Sequence, residues 1–388
     1  MIEDILTRHL PELTAIRRDL HAHPEMLFQE VRTAGIVAAE LQRLGFKVTA
    51  GIARTGVVGT LSNGSSSRAI GIRADMDALP IEERTNLAHA SRYPGKMHAC
   101  GHDGHTTMLL GLARYLAETR RFDGTVHLIF QPSEEDEGGA LRMIEDGLFR
   151  RFPCDRVFAL HNLPGEPEGQ IMVKPGPITA CCDVLTIVVE GVAGHGGLPH
   201  KSVDPVVAAA SLVMALQTVV ARNTDPHDPV VVTIGAINGG SMATVIPGSV
   251  KLLAGIRTVT EPVREKVLSR IRDLAQFQAR SFGCTASVDA GIDSWSYPAG
   301  CNSAAEAALV REVAIEMGQD PAKIDMRGPF MFSEDFSFMQ QAVPSCYFGL
   351  GAGPGPMLHD PGYDFNDALL VKGPAFWARL VEKALPQA

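Results

Sequence analysis

A chain of 388 residues is longer than one hydrophobic core normally accommodates, so two domains are expected. Its hydrophobic share of 45% and charged share of 20% are ordinary globular values, and the net charge of −9 argues against nucleic acid or an anionic membrane as a partner. The start, Met1-Ile2-Glu3-Asp4, lacks the basic and apolar regions of a signal peptide. Seven cysteines at irregular spacing, with Cys181 and Cys182 adjacent, do not read as a disulfide framework, so a reducing cytoplasm is the expected location.

In chain order, Ile5, Leu6, Leu10, Leu13, Ile16 and Leu20 set a helical period near the N-terminus. His21 and His23, before Pro24, read as structural. Residues 69–74 form an apolar run of strand length leading to Asp75 and Asp77. Residues 96–105 (KMHACGHDGH) crowd potential metal ligands into one loop, and 107–120 follows as an amphipathic helix with Leu109, Leu110, Leu112, Tyr115 and Leu116. A second run, 126–130, leads past Gln131, Pro132 and Ser133 to Glu134 and Glu135. A helical segment at 140–148 comes next, and a third run, 157–160, ends at His161. Strands alternating with helices predict an α/β fold with a mainly parallel sheet. Ligands of such sheets bind beyond the carboxyl ends of the strands. Three strands therefore deliver carboxylates and an imidazole to the edge where Cys100 and His102 sit.

The pattern changes at 183. Strand (184–190), helix (203–221), strands (230–236, 250–257), helix (263–281) and strand (284–289) follow the β-α-β-β-α-β order of a ferredoxin-like split motif. With Pro- and Gly-rich flanks, 181–290 is predicted as a domain inserted into a discontinuous catalytic domain of 1–180 and 291–388. The apolar stretch 206–216 falls short of the roughly 20 residues that span a bilayer and is expected as a helix buried on most sides, by its own domain or by a partner subunit. Helix 303–317, strand 345–350 and a Gly/Pro-rich loop then lead to His359.

Cys100 and His102 flank a single glycine, so both side chains can face one point, and a helix N-terminus favours thiolate over thiol. Alone, residues 134–137 fit a solvated acidic loop, His161 a core histidine and His359 a surface one. Together they fit a metal centre.

The stretches 73–80 (RADMDALP), 97–103 (MHACGHD), 131–135 (QPSEE), 160–162 (LHN), Gly194-His195 with Pro199-His200, 333–336 (SEDF) and Leu358-His359 run in order over nearly the whole chain. They resemble the amidohydrolase branch of the aminoacylase/carboxypeptidase clan of dinuclear metallopeptidases. That branch includes hippurate hydrolases, plant auxin-conjugate hydrolases and N-acetyl-diaminopimelate deacetylases. The resemblance implies Cys100, His102, Glu135, His161 and His359 as ligands of two divalent ions, and Glu134 as general base. Two ions about 3.5–4 Å apart can share an activated water and polarise a scissile carbonyl. Asp77 is expected to orient a ligand, because metal-bound imidazoles need a carboxylate or carbonyl partner; Asp75 is open between that role and structural support. His98 and His105 are expected to shape the ligand loop by hydrogen bonds.

The resemblance further implies that the inserted domain serves as lid and dimerisation module. His195, from the partner subunit, would stabilise the oxyanion, and Arg257 would hold a substrate carboxylate. Two positions depart from the family. Thr244, a candidate substrate-binding residue, stands where Asn is common and offers a donor of shorter reach; Phe332 replaces a Gly and is expected to narrow the acyl pocket or shift its loop.

The expected activity is metal-dependent hydrolysis of the amide bond in N-acyl amino acids, hippurate-like or N-acetylated. The alternatives are a dipeptidase or carboxypeptidase, an N-acetyl-diaminopimelate deacetylase and, more remotely, an inactive small-molecule binding protein. The cofactors expected are two Zn²⁺ or Mn²⁺ ions, with Co²⁺ or Ni²⁺ as alternatives. The partners expected are a small-molecule substrate and further copies of the chain, as homodimer or homotetramer.

Overall fold

The computed structural model describes residues 2–289 and 296–387. The chain divides into two compact units, Met1–Gly176 with Cys301–Gly328 and Asp335–Ala388, and Pro177–Gly300 with Pro329–Glu334. The domain boundary expected between 290 and 291 lies outside the described residues. The second unit also takes in a later segment that the sequence did not mark. Phe330 N donates to Ile178 O, and Ala180 N donates to Phe330 O and Phe332 O, which tie 329–334 to this unit as a strand would.

The first unit is built on a seven-stranded sheet in the order Lys47–Ile52, Gly56–Asn63, Gly124–Gln131, Ala69–Asp75, Arg156–Leu163, Ser345–Gly351, Ile171–Met172. The strands starting at 124, 69, 156 and 345 are mutually parallel. They are buried almost without interruption, as strands covered on both faces must be. The remaining pairings are antiparallel, so the sheet is mixed, parallel only at its centre. The hairpin 47–63 is the main cause. A turn this tight can only reverse the chain, and Ala53 and Arg54 make it at positive φ, without the Asn-Gly signature that would betray it.

Helix His102–Thr119 is buried on every side from His102 to Leu116, rather than amphipathic as its sequence suggested. Helices Ile2–Ala22 and Leu369–Ala384 enclose it, sharing a core with Leu13, Leu109, Leu112, Phe376 and Trp377.

In the second unit, strands Cys182–Glu190, Val230–Asn238, Ser249–Thr258 and Thr285–Asp289 form an antiparallel sheet, with helices Pro205–Thr218 and Glu261–Ser281 in β-α-β-β-α-β order. Strand Ser249–Thr258 alternates between fully and partly buried residues, and Leu252 and Ile256 join Leu212, Ile271 and Ala275 in a separate core. Within this one chain, helix Pro205–Thr218 is buried on one face only. Ala208, Ala209, Leu212 and Leu216 face the core, whereas Val206, Val207 and Met214 are exposed, Met214 at 71%. A π turn, Val219–Asn223, extends the helical run to 19 residues, long and apolar enough to cross a membrane by length and composition, although one face of the run packs on the sheet.

Candidate metal centre

The parallel strands bring the site together. Asp75 ends strand Ala69–Asp75, with Asp77 two residues beyond; Glu134 and Glu135 follow strand Gly124–Gln131; His161 lies near the end of Arg156–Leu163; His359 follows Ser345–Gly351. Because these strands run the same way, their carboxyl ends share one edge. Cys100, Gly101 and His102 arrive at that edge where helix His102–Thr119 begins. Gly101 has φ 93°, and a Cβ there would lie 2.5 Å from Asn162 Oδ1 and 2.7 Å from Tyr363 Oη. Only glycine fits between Cys100 and His102.

All five candidate ligands and Glu134 converge. Cys100, His102 and His161 form one cluster of donor atoms, Cys100, Glu135 and His359 a second, and His102, Glu134 and Glu135 a third; within each, the donor atoms lie within 4.8 Å of one another. Cys100 Sγ is 3.4 Å from His161 Nε2, and Glu135 Oε1 is 3.2 Å from His359 Nε2 and 3.9 Å from His102 Nε2. His359 holds a left-handed backbone at φ 65°, and its N–H donates to Ala99 O at 2.8 Å, tying its loop to the Cys100 segment. Strain of that kind persists where surrounding contacts over-determine the geometry.

Hydrogen bonds choose the tautomers. His102 Nδ1 donates to Asp77 O at 2.9 Å, and His161 Nδ1 donates to Asn162 O at 2.8 Å, which leaves each Nε2 lone pair for the cluster. Asp77 Oδ1 also lies 3.2 Å from His102 Nδ1, and its Oδ2 accepts from Glu135 N at 3.0 Å. Asp75 is drawn the other way. Its Oδ1 accepts from His105 Nδ1 at 2.7 Å, and its Oδ2 from Arg73 at 2.7 Å. His105 Nε2 meets Asn162 Oδ1 at 2.7 Å, and Asn162 Nδ2 donates to Tyr363 Oη at 2.7 Å. Arg73 and Gln131 both reach Asp335. This buried polar layer under the ligands went largely unread in the sequence. Asn162, Tyr363 and Arg73 had no signal beyond their place in or near a motif.

The residues fit a pair of cations. His102 Nε2 is buried with no hydrogen-bond partner among the described residues, and faces Glu135 Oε1, as a ligand atom does where a cation would sit. Burial, then Glu135, Glu134 and Asp75, push the Cys100 thiol well above its usual range. Burial opposes protonation of His102, yet Asp75, Asp77 and Glu135 raise its imidazole to about 10. The carboxylates that act on both groups make a negative cluster that a divalent ion would neutralise while displacing those protons.

Three further candidates lie in the second unit. Val245 pairs with His195 across a short antiparallel ladder, and Gly196 N donates to Thr244 O at 2.8 Å, so Thr244 shapes the His195 loop through its backbone. Gly197 N donates to His195 Nδ1 at 3.0 Å, which leaves the proton of a neutral His195 on Nε2. Arg257 Nη1 donates to Ser333 Oγ at 2.8 Å, and Phe332 stacks on Phe330 with centroids 4.8 Å apart.

The sequence pattern of peptidase family M20/M25/M40 matches residues 71–383. The chain belongs to that family. Over 375 residues it is 40% identical to a hippurate hydrolase of Campylobacter jejuni, covering 96% of this chain and 97% of the other. An N-acetyl-L-cysteine deacetylase of Bacillus subtilis is 36% identical, over 94% of this chain and 86% of its own. Among solved structures, the Bacillus subtilis YXEP protein, described as a dinuclear metal binding peptidase from the M20 family, superposes with TM-score 0.85 at 30% identity, covering 98% of this chain and 100% of that one. With its ligand clusters and its M20 membership, the chain is a metal-dependent amide hydrolase.

Proposed function

We propose that this M20-family enzyme cleaves the amide bond of N-acyl amino acids, releasing a carboxylic acid and a free amino acid. The observation that carries the mechanism is the placement of Glu134, a carboxylate of 7% exposure adjoining the ligand Glu135. Cys100, His102, Glu135, His161 and His359 would hold two divalent ions, with Cys100 common to two of the donor clusters. When bound, such ions supply Lewis acidity, acidifying a water and polarising the scissile carbonyl. Thiolate and imidazole donors favour Zn²⁺, while the mixed N/O set also admits Mn²⁺, Co²⁺ or Ni²⁺.

Glu134 takes a proton from the attacking water as the C–O bond forms. It returns that proton to the nitrogen as the C–N bond breaks, so the carboxylate is regenerated. His195, supplied by a partner subunit, donates through Nε2 to the carbonyl oxygen as charge develops there, the kind of assistance that is usually the largest catalytic contribution. Arg257 holds the substrate carboxylate as a two-pronged donor, and Thr244 sets the loop that carries His195. The second unit acts as a lid and dimerisation module. Strand Val230–Asn238 lies at the edge of its sheet with Val231 and Ile237 exposed, and the exposed Met214 adds to the apolar surface of this unit; both support a homodimer or a larger even assembly. A cytoplasmic location accords with seven free cysteines.

The test is a panel of N-benzoyl, N-acetyl and N-indoleacetyl amino acids beside dipeptides, with metal-loaded and chelator-treated enzyme and with Glu134→Gln. Cleavage of acyl amino acids that requires metal, and that Glu134→Gln lowers about 10²–10⁴-fold with metal content intact, is the expected result. Preference for unblocked dipeptides would replace this reading with a peptidase.

A further inference from the structure

Glu134 is held by its backbone from both sides. The following amide, Glu135 N, donates to Asp77, as described above. The preceding amide, Ser133 N, donates to Glu30 Oε1 at 3.2 Å. Glu30 is fully buried, and none of its hydrogen-bond partners is a cation. Its remaining partners come from two other segments: Phe28 N donates to the same Oε1 at 3.1 Å, and Thr55 Oγ1 donates to Oε2 at 2.6 Å.

Each of these segments carries a left-handed backbone at non-glycine residues. They are Leu27 and Phe28 at φ 53° and 59°, Ala53 and Arg54 at 47° and 72°, and Ser133 at 50°. Such residues persist only where neighbours hold them. One carboxylate thus ties down three strained turns, and one of them is the residue before the general base. The loop after Ser133 is also tight. Ser133 Oγ donates to Asp136 O at 2.6 Å, Gly139 N donates to Ser133 O at 2.9 Å, and a Cβ on Gly139 would fall 1.7 Å from Pro132 O. The loop is therefore cross-linked along its length, and Glu30 and Asp77 are its buried carboxylate anchors.

We propose that Glu30 is a positioning residue for hydrolysis: by fixing Ser133 in its left-handed conformation it aims the Glu134 carboxylate at the water. This rests on Glu134 being the base. Burial, the first influence on Glu30, raises its pKa, so a charged carboxylate is costly there and its oxygens act as hydrogen-bond acceptors first. Acceptor geometry is what the three donors require. Gln keeps one oxygen for the two amides, and its NH₂ can donate to the Thr55 hydroxyl. Asp keeps the charge but is one methylene too short to reach all three donors.

The experiment compares Glu30→Gln and Glu30→Asp in metal-loaded enzyme, with kcat, KM and metal stoichiometry measured together and Glu134→Gln in the same assay. Glu30→Gln is expected within about 3-fold of wild type. Glu30→Asp is expected to lose about 10–100-fold in kcat with KM and metal content unchanged, the scale set by misplacing a reacting group by a fraction of an ångström to one ångström. Full kcat in Glu30→Asp, a loss that tracks metal content, or a loss in Glu30→Gln equal to that in Glu30→Asp overturns the proposal. If Glu134→Gln is inactive while Glu30→Asp is fully active, only the role of Glu30 falls; wild-type turnover in Glu134→Gln removes the base itself. Wild-type protein supplies a test that needs no variant. The Ser133 amide is expected to resist hydrogen exchange as strongly as the Glu135 amide, and fast exchange at Ser133 alone overturns the anchoring.

Discussion

Asp77 Oδ2 accepts the backbone amide of Glu135 at 3.0 Å while the Asp77 carbonyl takes the Nδ1 proton of His102 at 2.9 Å. One residue therefore orients two candidate ligands from separate segments and fixes the chain beside Glu134. Asp77→Ala is expected to weaken metal binding about 10–100-fold, measured by competition with a chelator. An unchanged affinity would show that the ligands orient themselves.

Gly101→Ala tests the crowding between Cys100 and His102. The new Cβ would meet Asn162 Oδ1 at 2.5 Å in a backbone conformation hostile to alanine. The variant is expected to lose more than about 1 kcal/mol of stability and part of its metal, by thermal unfolding and elemental analysis. Wild-type values for both would mean that the turn can relax without cost.

His21 offers a pH dependence of stability through Asp103, the residue after His102. Burial opposes its protonation, but Asp103 at 2.9 Å and Glu83 at 3.3 Å raise the imidazole to about 10. The unfolded value is about 6.5, so the folded state binds this proton more tightly, and the stabilisation is complete below about 6.5 and is lost as pH rises towards 10. Urea unfolding from pH 6 to pH 10 is expected to show stability falling with pH in the wild type, with a shallower slope in His21→Gln. Equal slopes would assign the effect to other groups.

The second unit predicts its own dissociation. Ile237→Lys and Met214→Glu place charge on an exposed edge strand and helix, where Ile237 is 57% exposed. Sedimentation velocity is expected to show a shift to monomer. Mixing His195→Ala with Glu134→Gln, both inactive alone, is expected to restore activity through hybrid dimers. No recovery after demonstrated subunit exchange would place His195 in its own subunit or outside the reaction.

The candidate ligands could be proposed from the sequence because several of them close local patterns. Glu135 and His161 follow or end apolar runs, and Cys100-Gly101-His102 opens a helix. Parallel strands turn such sequence neighbours into spatial neighbours, so a short motif carries long-range information. The β-α-β-β-α-β succession was readable for a similar reason, since the periods of 2 and 3.6 are properties of short segments. The hairpin 47–63 escaped because Ala53-Arg54 lacks the usual turn residues. The helix from His102 was misjudged because its burial on all sides depends on helices from both ends of the chain.

What remained hidden is the work of single long-range contacts. Nothing near Glu30 in the chain points to Ser133, and nothing near Tyr363 points to Asn162; those pairings exist only once the backbone is folded. The fate of the Cys100 proton is decided in the same way, because desolvation and the summed field of Glu135, Glu134 and Asp75 depend on three-dimensional distance rather than on order along the chain. Residue types and their spacing therefore nominate the groups for the chemistry. How each is aimed and charged follows from contacts between segments that the linear order leaves far apart.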